Sequence, residues 1–218
     1  GKSGFVAEIF RWFIEYGGWG VLEEVETKFS PRWFRSIIGA DYDDLIQVDQ
    51  CDSMEDWQSK LQSSINIAKR RLIGTKGEPG LGRAHPFCFA IDSIAGKMSE
   101  ESQGRIEKEG SAGRTMPVEA NSLSKYLKSV ASWIDRWPFV VVLVNHLKDK
   151  INVEKGESSR SWSGGSLIGF QETLELELQK YGSPINTSEV DGFHVAIRCF
   201  KNSLGVTGRV IHVRIIWW

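Results

Sequence analysis

The chain opens "GKSGFVAEIF", and Gly1, Lys2 and Ser3 are residue types that together handle phosphate. In a loop of the form G-x-x-x-x-G-K-[ST], backbone N–H groups wrap a phosphate chain, the lysine brings a point charge, and the hydroxyl joins the shell of Mg2+. An apolar helical pattern follows directly, so these residues also sit at the positive end of a helix, where free N–H groups favour phosphate. Three residues of this kind also occur by chance. On the phosphate reading, the first glycine of the loop and its spacer lie ahead of residue 1. Asp92 has the complementary form, since it closes the apolar run "PFCFAID". A carboxylate at the end of a buried strand holds the Mg2+ shell beside the phosphates. Alone, Asp92 reads as readily as an acid capping a turn; together with Gly1-Lys2-Ser3 it favours a nucleotide site.

Other residues extend the same chemistry. Glu24 and Glu26 close "GVLEEVE", where a carboxylate can orient or deprotonate a water attacking the γ-phosphate. From spacing alone the pair reads as solvated alternation at a strand end. Asn145 and His146 follow the apolar run "VVVLV", a place from which a polar side chain can touch a γ-phosphate; a structural histidine is the other reading. Two polar segments, 98–117 and 148–165, are rich in Gly, Ser and charge. Loops of that length in a compact domain are usually functional or disordered. The second carries Lys148, Lys150, Lys155 and Arg160, diluted by Asp149, Glu154 and Glu157, so it is a weak electrostatic signal for nucleic acid. Arg198, Lys201, Arg209 and Arg214 are more one-sided, with no Asp or Glu from residue 192 onward.

The elements that must position these groups can be read from periodicity. Phe5, Val6, Ile9, Phe10, Phe13 and Ile14 give a helix over 3–16, stopped at Gly17-Gly18. "WGVLEEVE" is a short strand, "PRWFRSIIG" a helix opened by Pro31, and "LIQVDQ" a second strand. Asp52 with Glu55 reads as the capping pair of a helix over 53–73. Residues 74–86 form a Gly- and Pro-rich loop. "PFCFAID" and "PFVVVLVN" are continuous apolar runs suited to parallel strands covered on both faces, with an amphipathic helix over 118–137 between them. "ETLELELQKY" alternates like a half-exposed strand, and "FHVAIRCF" and "GRVIHVRII" read as antiparallel partners. The expected fold class is α/β, a mostly parallel sheet flanked by helices with antiparallel C-terminal edge strands. Function in such folds collects at the carboxyl ends of the parallel strands.

Composition sets the outer limits. The 218 residues suit one α/β domain. With a net charge of −1, the chain as a whole has no pull toward polyanions, so any such site must be a local patch. Cys51, Cys88 and Cys199 are too few and too scattered for a disulfide framework or a zinc motif. They read as reduced thiols of an intracellular protein. The first residues do not read as a secretory signal, because a basic flank is lacking and Glu8 interrupts "FVAEIF". No apolar run approaches the length of a membrane span.

In order along the chain, these pieces resemble the RecA-type recombinases, most closely the phage UvsX-like branch. The carriers are "GKS", "LEEVETKFSPRWFRSIIG", "PFCFAIDSIAG", "VVLVNHLKDKINVEKG", "SWSGGSLIGF" and "RCFKNSLG". The resemblance runs nearly end to end and implies a RecA-like P-loop ATPase core. It also implies that residues 1–218 form one such core, entered inside the phosphate loop. The first strand, an N-terminal polymerisation segment and a C-terminal domain would then be missing. ATP and Mg2+ are the implied cofactors, held by Gly1, Lys2, Ser3 and Asp92, with Ser3 and Asp92 on the metal. Glu26 falls on the family's catalytic glutamate, with Glu24 where an Asp is usual. His146 falls on the γ-phosphate sensor, which is His in the UvsX branch. Trp33 falls where an aromatic stacks on adenine, and Ser30 where a residue, often Asp, touches the base. Lys201 matches a lysine reaching the ATP of the adjacent protomer, whereas Ser203 departs from a second such lysine. Phe170 matches an aromatic coupling neighbouring subunits.

The two polar segments match DNA-binding loops: Arg105 and Arg114 lie in the first, and Lys148, Lys150, Lys155 and Arg160 in the second, followed by Gly164 and Gly165. Lys155 replaces an apolar tip, so base-triplet spacing does not carry over. The implied activity is a DNA-dependent ATPase that forms helical filaments on single-stranded DNA, pairs it with duplex DNA and exchanges strands. The setting would be the cytoplasm of a bacterium or phage-infected cell, with no membrane partner. Two alternatives stand beside it: a RecA-fold hexameric DNA helicase, and a non-catalytic RecA-like paralogue binding DNA or partners.

Overall fold

The computed structural model describes residues 2–25, 29–39, 42–94, 125–128, 130–132, 134–149, 160–162, 172–187 and 189–217. The chain divides into two compact units, one spanning Ser3–Leu167 and the other comprising Gly1–Lys2 and Ile168–Trp218.

In the first unit, helix α1 (Lys2–Glu15) buries Val6, Ala7 and Phe10, the stripe expected from helical spacing. It ends where Gly17 takes a φ of 72°, a left-handed conformation that favours glycine. Strand β1 (Trp19–Glu24) follows, then α2 (Pro31–Ile38), the short α3 (Tyr42–Leu45), β2 (Ile46–Gln50) and α4 (Met54–Ile73). The Gly- and Pro-rich loop holds a two-residue antiparallel pair, β3 (Gly74–Thr75) with β4 (Glu78–Pro79), and a 3-10 turn at Gly82–Ala84. Strand β5 (Phe87–Asp92) leads to a helical stretch at residues 125–128, 130–132 and 134, and then β6 (Phe139–Leu143).

The four longer strands make one sheet in the order β2-β1-β5-β6, every pairing parallel. Every residue of β1 and of β5 is buried, as helices on both faces require. Alternation then divides the side chains. Leu22, Ile46, Cys88 and Ala90 pack against Val6, Ala7 and Phe10 of α1 and Phe34 and Ile38 of α2. Residues of the opposite parity, among them Phe89, face α4, where Trp57 meets the Phe89 ring edge-on with centroids 6.5 Å apart. Gly20 is obligatory: a Cβ there would stand 2.5 Å from Phe10 Cε1 and collide with the Cys88 carbonyl oxygen. Burial pushes the Cys88 thiol up, away from reactivity.

Two local readings are corrected. The cap of α4 is Ser53, not Asp52: the Ser53 hydroxyl accepts the Asp56 N–H at 3.1 Å, and the Asp56 carboxylate accepts the Asp52 N–H at 3.0 Å. The capping box therefore sits one residue later than Asp52 and Glu55 suggested, since serine has the short hydroxyl this geometry uses. The polar segment after Asn145 is not all loop. Strands β7 (Leu147–Asp149) and β8 (Arg160–Trp162) pair antiparallel, with Leu147 opposite Trp162 and Asp149 opposite Arg160 in the register.

In the second unit, β9 (Leu174–Asn186), β10 (Asp191–Asn202) and β11 (Val210–Trp217) form an antiparallel sheet in the order β11-β10-β9. The strand read over 172–181 begins at Leu174 and extends to Asn186. No helix of the described residues is long and apolar enough to cross a membrane.

Candidate functional site

The carboxyl ends of the parallel strands form one side of an open cleft of about 480 Å3, its solvent-filled mouth included. Ser3, Val6, Leu22, Glu24, Phe29, Ser30, Trp33, Phe34 and Asp92 line it. The first turn of α1 supplies Ser3, and the last residues of β1 and β5 supply Glu24 and Asp92. These two carboxylates are register partners on adjacent parallel strands, so they stand side by side on one face. Both are buried. The Ser3 hydroxyl donates to Asp92 Oδ2 at 2.5 Å, a short, charge-assisted contact. It joins residues 89 positions apart in sequence.

The far wall comes from α2. Ser30 is its N-cap, accepting the Trp33 N–H on its side-chain oxygen at 3.4 Å, with Pro31 in the first helical turn. This fixes the first turn and with it Trp33, whose ring is 42% exposed at the mouth of the cleft. Phe34, in the next position, is buried between Phe10 and Phe29, with ring centroids 6.1 and 5.2 Å away. One residue of α2 thus anchors it in the core while its neighbour stays partly exposed in the cleft lining.

Of the residues singled out in the sequence, Ser3, Ser30, Trp33 and Asp92 converge on this cleft. Lys2 opens α1 beside Ser3. His146 lies past the carboxyl end of β6, the strand next to β5, and its backbone N–H is held by Asn145 Oδ1 at 2.8 Å. It is not among the lining residues. Lys201 belongs to the second unit, where it pairs across β10 and β9 with Glu175. Lys148 and Arg160 lie in β7 and β8. Gly1, Glu26, Arg105, Arg114, Lys150, Lys155, Gly164, Gly165 and Phe170 lie outside the described residues. Phe29 is not singled out by the sequence, and Glu24, which from spacing alone reads as solvated at a strand end, is instead buried in the cleft lining. For Glu24 the available signal was its position, on the parity of Leu22 and level with the end of the next parallel strand.

The donor set suits Mg2+. A hydroxyl and a carboxylate are hard oxygen ligands, and Mg2+ takes one or two carboxylates together with substrate phosphates and water. Among the described residues no group of three or more His, Cys, Asp or Glu side chains is placed to hold a metal ion. An aromatic platform at the mouth, a helix N-terminus and an oxygen-lined floor together fit a nucleoside phosphate.

No protein-family model matches the chain. It is similar to curated proteins named Protein RecA. With that of Chlamydia pneumoniae it is 24% identical over 219 residues, covering 100% of this chain and 55% of the relative. With that of Francisella tularensis subsp. novicida (strain U112) it is 26% identical over 189 residues, 86% of this chain and 46% of the relative. With that of Caulobacter sp. (strain K31) it is 27% identical over 128 residues, 58% of this chain and 34% of the relative. The chain thus spans about half the length, or less, of the curated relatives it matches. These likenesses support a RecA-family core, in keeping with the parallel sheet and the separate antiparallel strands.

Proposed function

We propose that this chain is the nucleotide-binding core of an ATP-dependent DNA recombinase of the UvsX-like kind. The observation that carries the reading is the 2.5 Å hydrogen bond from Ser3 to Asp92 at the floor of the cleft. It brings together the two residues that the opening motif and the apolar strand each marked for Mg2+. The similarity to RecA proteins along the chain supports it.

In this reading Ser3 and Asp92 hold Mg2+, which when bound neutralises charge on the phosphates. Lys2 faces the β- and γ-phosphates from the first turn of α1, where the helix N–H groups also point. Trp33 stacks on the base, and Ser30 keeps α2 in place while its oxygen lies near the base edge. Glu26 orients the attacking water, with Glu24 contributing negative field beside it. His146 senses the γ-phosphate from the end of β6. Lys201 serves the ATP of a neighbouring protomer in a filament, and Arg105, Arg114, Lys148, Lys150, Lys155, Arg160, Gly164 and Gly165 meet the DNA. These contacts are mostly to the phosphate backbone, so affinity falls with salt. Nucleotide state and DNA affinity then strengthen each other, because coupling between sites is reciprocal.

The test is ATP hydrolysis by the full protein, with and without single-stranded DNA, beside Lys2→Ala and Trp33→Ala. Strong stimulation by DNA is expected, abolished in Lys2→Ala and weakened through KM in Trp33→Ala. Hydrolysis indifferent to DNA would refute the recombinase reading, and a folded protein that binds no nucleotide would refute the assignment of the cleft.

A further inference from the structure

Glu23 breaks the pattern of its surroundings. It is on β1 but points to the face opposite the cleft, toward α4, on the parity of Val21 and beside Phe89 and Ile91 of β5. Its side chain is 0% exposed. Neither carboxylate oxygen accepts a hydrogen bond among the described residues. A leucine would fill this place at lower cost, because a buried charge without hydrogen bonds loses its hydration and gains little back. Places where a sequence breaks a local packing rule are where function is expected.

Among the described residues its ion-pair partner is Lys60 of α4, with Nζ 3.8 Å from Glu23 Oε2 and 3.2 Å from Asp56 Oδ2. The same ammonium donates to the backbone carbonyl oxygen of Gln50, the last residue of β2. Gln50 is the register partner of Glu24, and Glu23 is the partner of Asp49. A single group on the back of the sheet therefore bridges the end of β1, which supplies Leu22 and Glu24 to the cleft, and the end of the neighbouring β2. Beyond Gln50 the chain turns at buried Cys51 into the capped start of α4, so α4 and the β2 end are already rigidly joined. Lys60 adds β1 to that body.

We infer that Lys60 and Glu23 are positioning residues for the cleft, clamping the carboxyl ends of β1 and β2 from behind and so fixing where Glu24 stands. The pair touches neither nucleotide nor metal. It acts through the strand, and the inference rests on the nucleotide reading of the cleft. A small displacement of the groups around a reacting phosphate lowers the rate far more than it lowers affinity.

The experiment uses the full protein and the variants Lys60→Met, Lys60→Arg and Glu23→Leu. Two readouts are taken: kcat and KM for Mg·ATP, and hydrogen-exchange protection of the amides at Glu24, Val25, Gln50 and Cys51. Glu23→Leu is expected to fold at least as stably as the parent, yet to lose about tenfold or more in kcat with KM within about twofold. Its protection should fall at those four amides but not at Gly20 or Phe89, deep in the strands. Lys60→Met should behave alike, and Lys60→Arg should recover most of the rate. Unchanged kcat and unchanged protection in a folded Glu23→Leu would overturn the inference, as would protection lost evenly through the sheet. If local protection falls as expected while even the parent binds no nucleotide, the clamp stands and the nucleotide reading fails.

Discussion

Glu23 gives a pH dependence of stability whose sign and size follow from its burial. Desolvation raises its pKa from the ordinary 4.5 to about 7, with Lys60 opposing the rise and Asp49 and Asp56 adding to it. The unfolded chain releases this proton near 4.5, whereas the folded chain keeps it until about 7. Between those values the native state binds more protons than the unfolded state, so stability falls as pH rises and levels off above about 7. Below about 4.5 both states are protonated and no penalty is felt. At 1.36 kcal/mol per pH unit, the difference corresponds to roughly 3 kcal/mol.

Replacing Glu23 by glutamine removes the titration and keeps the shape. The assay is urea unfolding of the parent and Glu23→Gln at intervals from pH 4.5 to 8. The quantity of interest is the difference between them, because Glu175 contributes in the same window. Burial first, and then a hydrogen bond with Glu172, raise Glu175 to about 7 as well. From pH 4.5 to 8 the variant should gain about 3 kcal/mol on the parent, or about 1.5 M in urea midpoint at an m-value near 2 kcal/mol/M. Parallel curves would refute the reasoning, because they would mean that the folded chain releases the Glu23 proton at the same pH as the unfolded chain. A difference of opposite sign would mean that Lys60 stabilises the carboxylate by more than burial costs.

Two further outcomes test the packing. Gly20→Ala drives a methyl into the Phe10 ring and the Cys88 carbonyl, and overpacking of this kind should cost about 1–3 kcal/mol in the urea midpoint or prevent folding. Ser53→Ala should cost about 1 kcal/mol by removing the cap of α4, while Asp52→Ala should stay within about 0.5 kcal/mol; equal losses would return the cap to Asp52.

Local signals carried much of the framework. The helical stripe of α1, the paired glycines that stop it, the apolar runs of β5 and β6 and the alternation of β9 each lie within one window of sequence. They reappear within a few residues of where the periodicity set them. Ser3 and Asp92 were legible for a different reason: each closes or opens a pattern with a known chemical use, and the fold then joins them by one hydrogen bond. The pairing of β7 with β8 was not legible, because it depends on residues more than ten positions apart finding a register. Ser30 illustrates a signal with two meanings. Its position before Pro31 marks an N-cap as surely as any resemblance marks a base contact, and the structure gives the cap directly.

The adjacent glutamates of β1 show where reading from pattern has to stop. In "GVLEEVE" a pair of acids at a strand end looks like the point at which the chain meets water. That inference assumes one solvated face. Here both faces of β1 are covered, so alternation sends Glu24 to the cleft and Glu23 under α4, and both are buried. Nothing local distinguishes them, since they differ only in parity against strands about 25 and 68 residues further on. Their burial also has different consequences. Glu24 lies beside Asp92 and Ser3, where a cation would offset the charge. Glu23 has Lys60 at 3.8 Å and no hydrogen bond, so its charge opposes folding at neutral pH. A carboxylate held at such a cost, one peptide bond from the cleft and tied to the strand opposite, is better explained by what it positions than by what it stabilises.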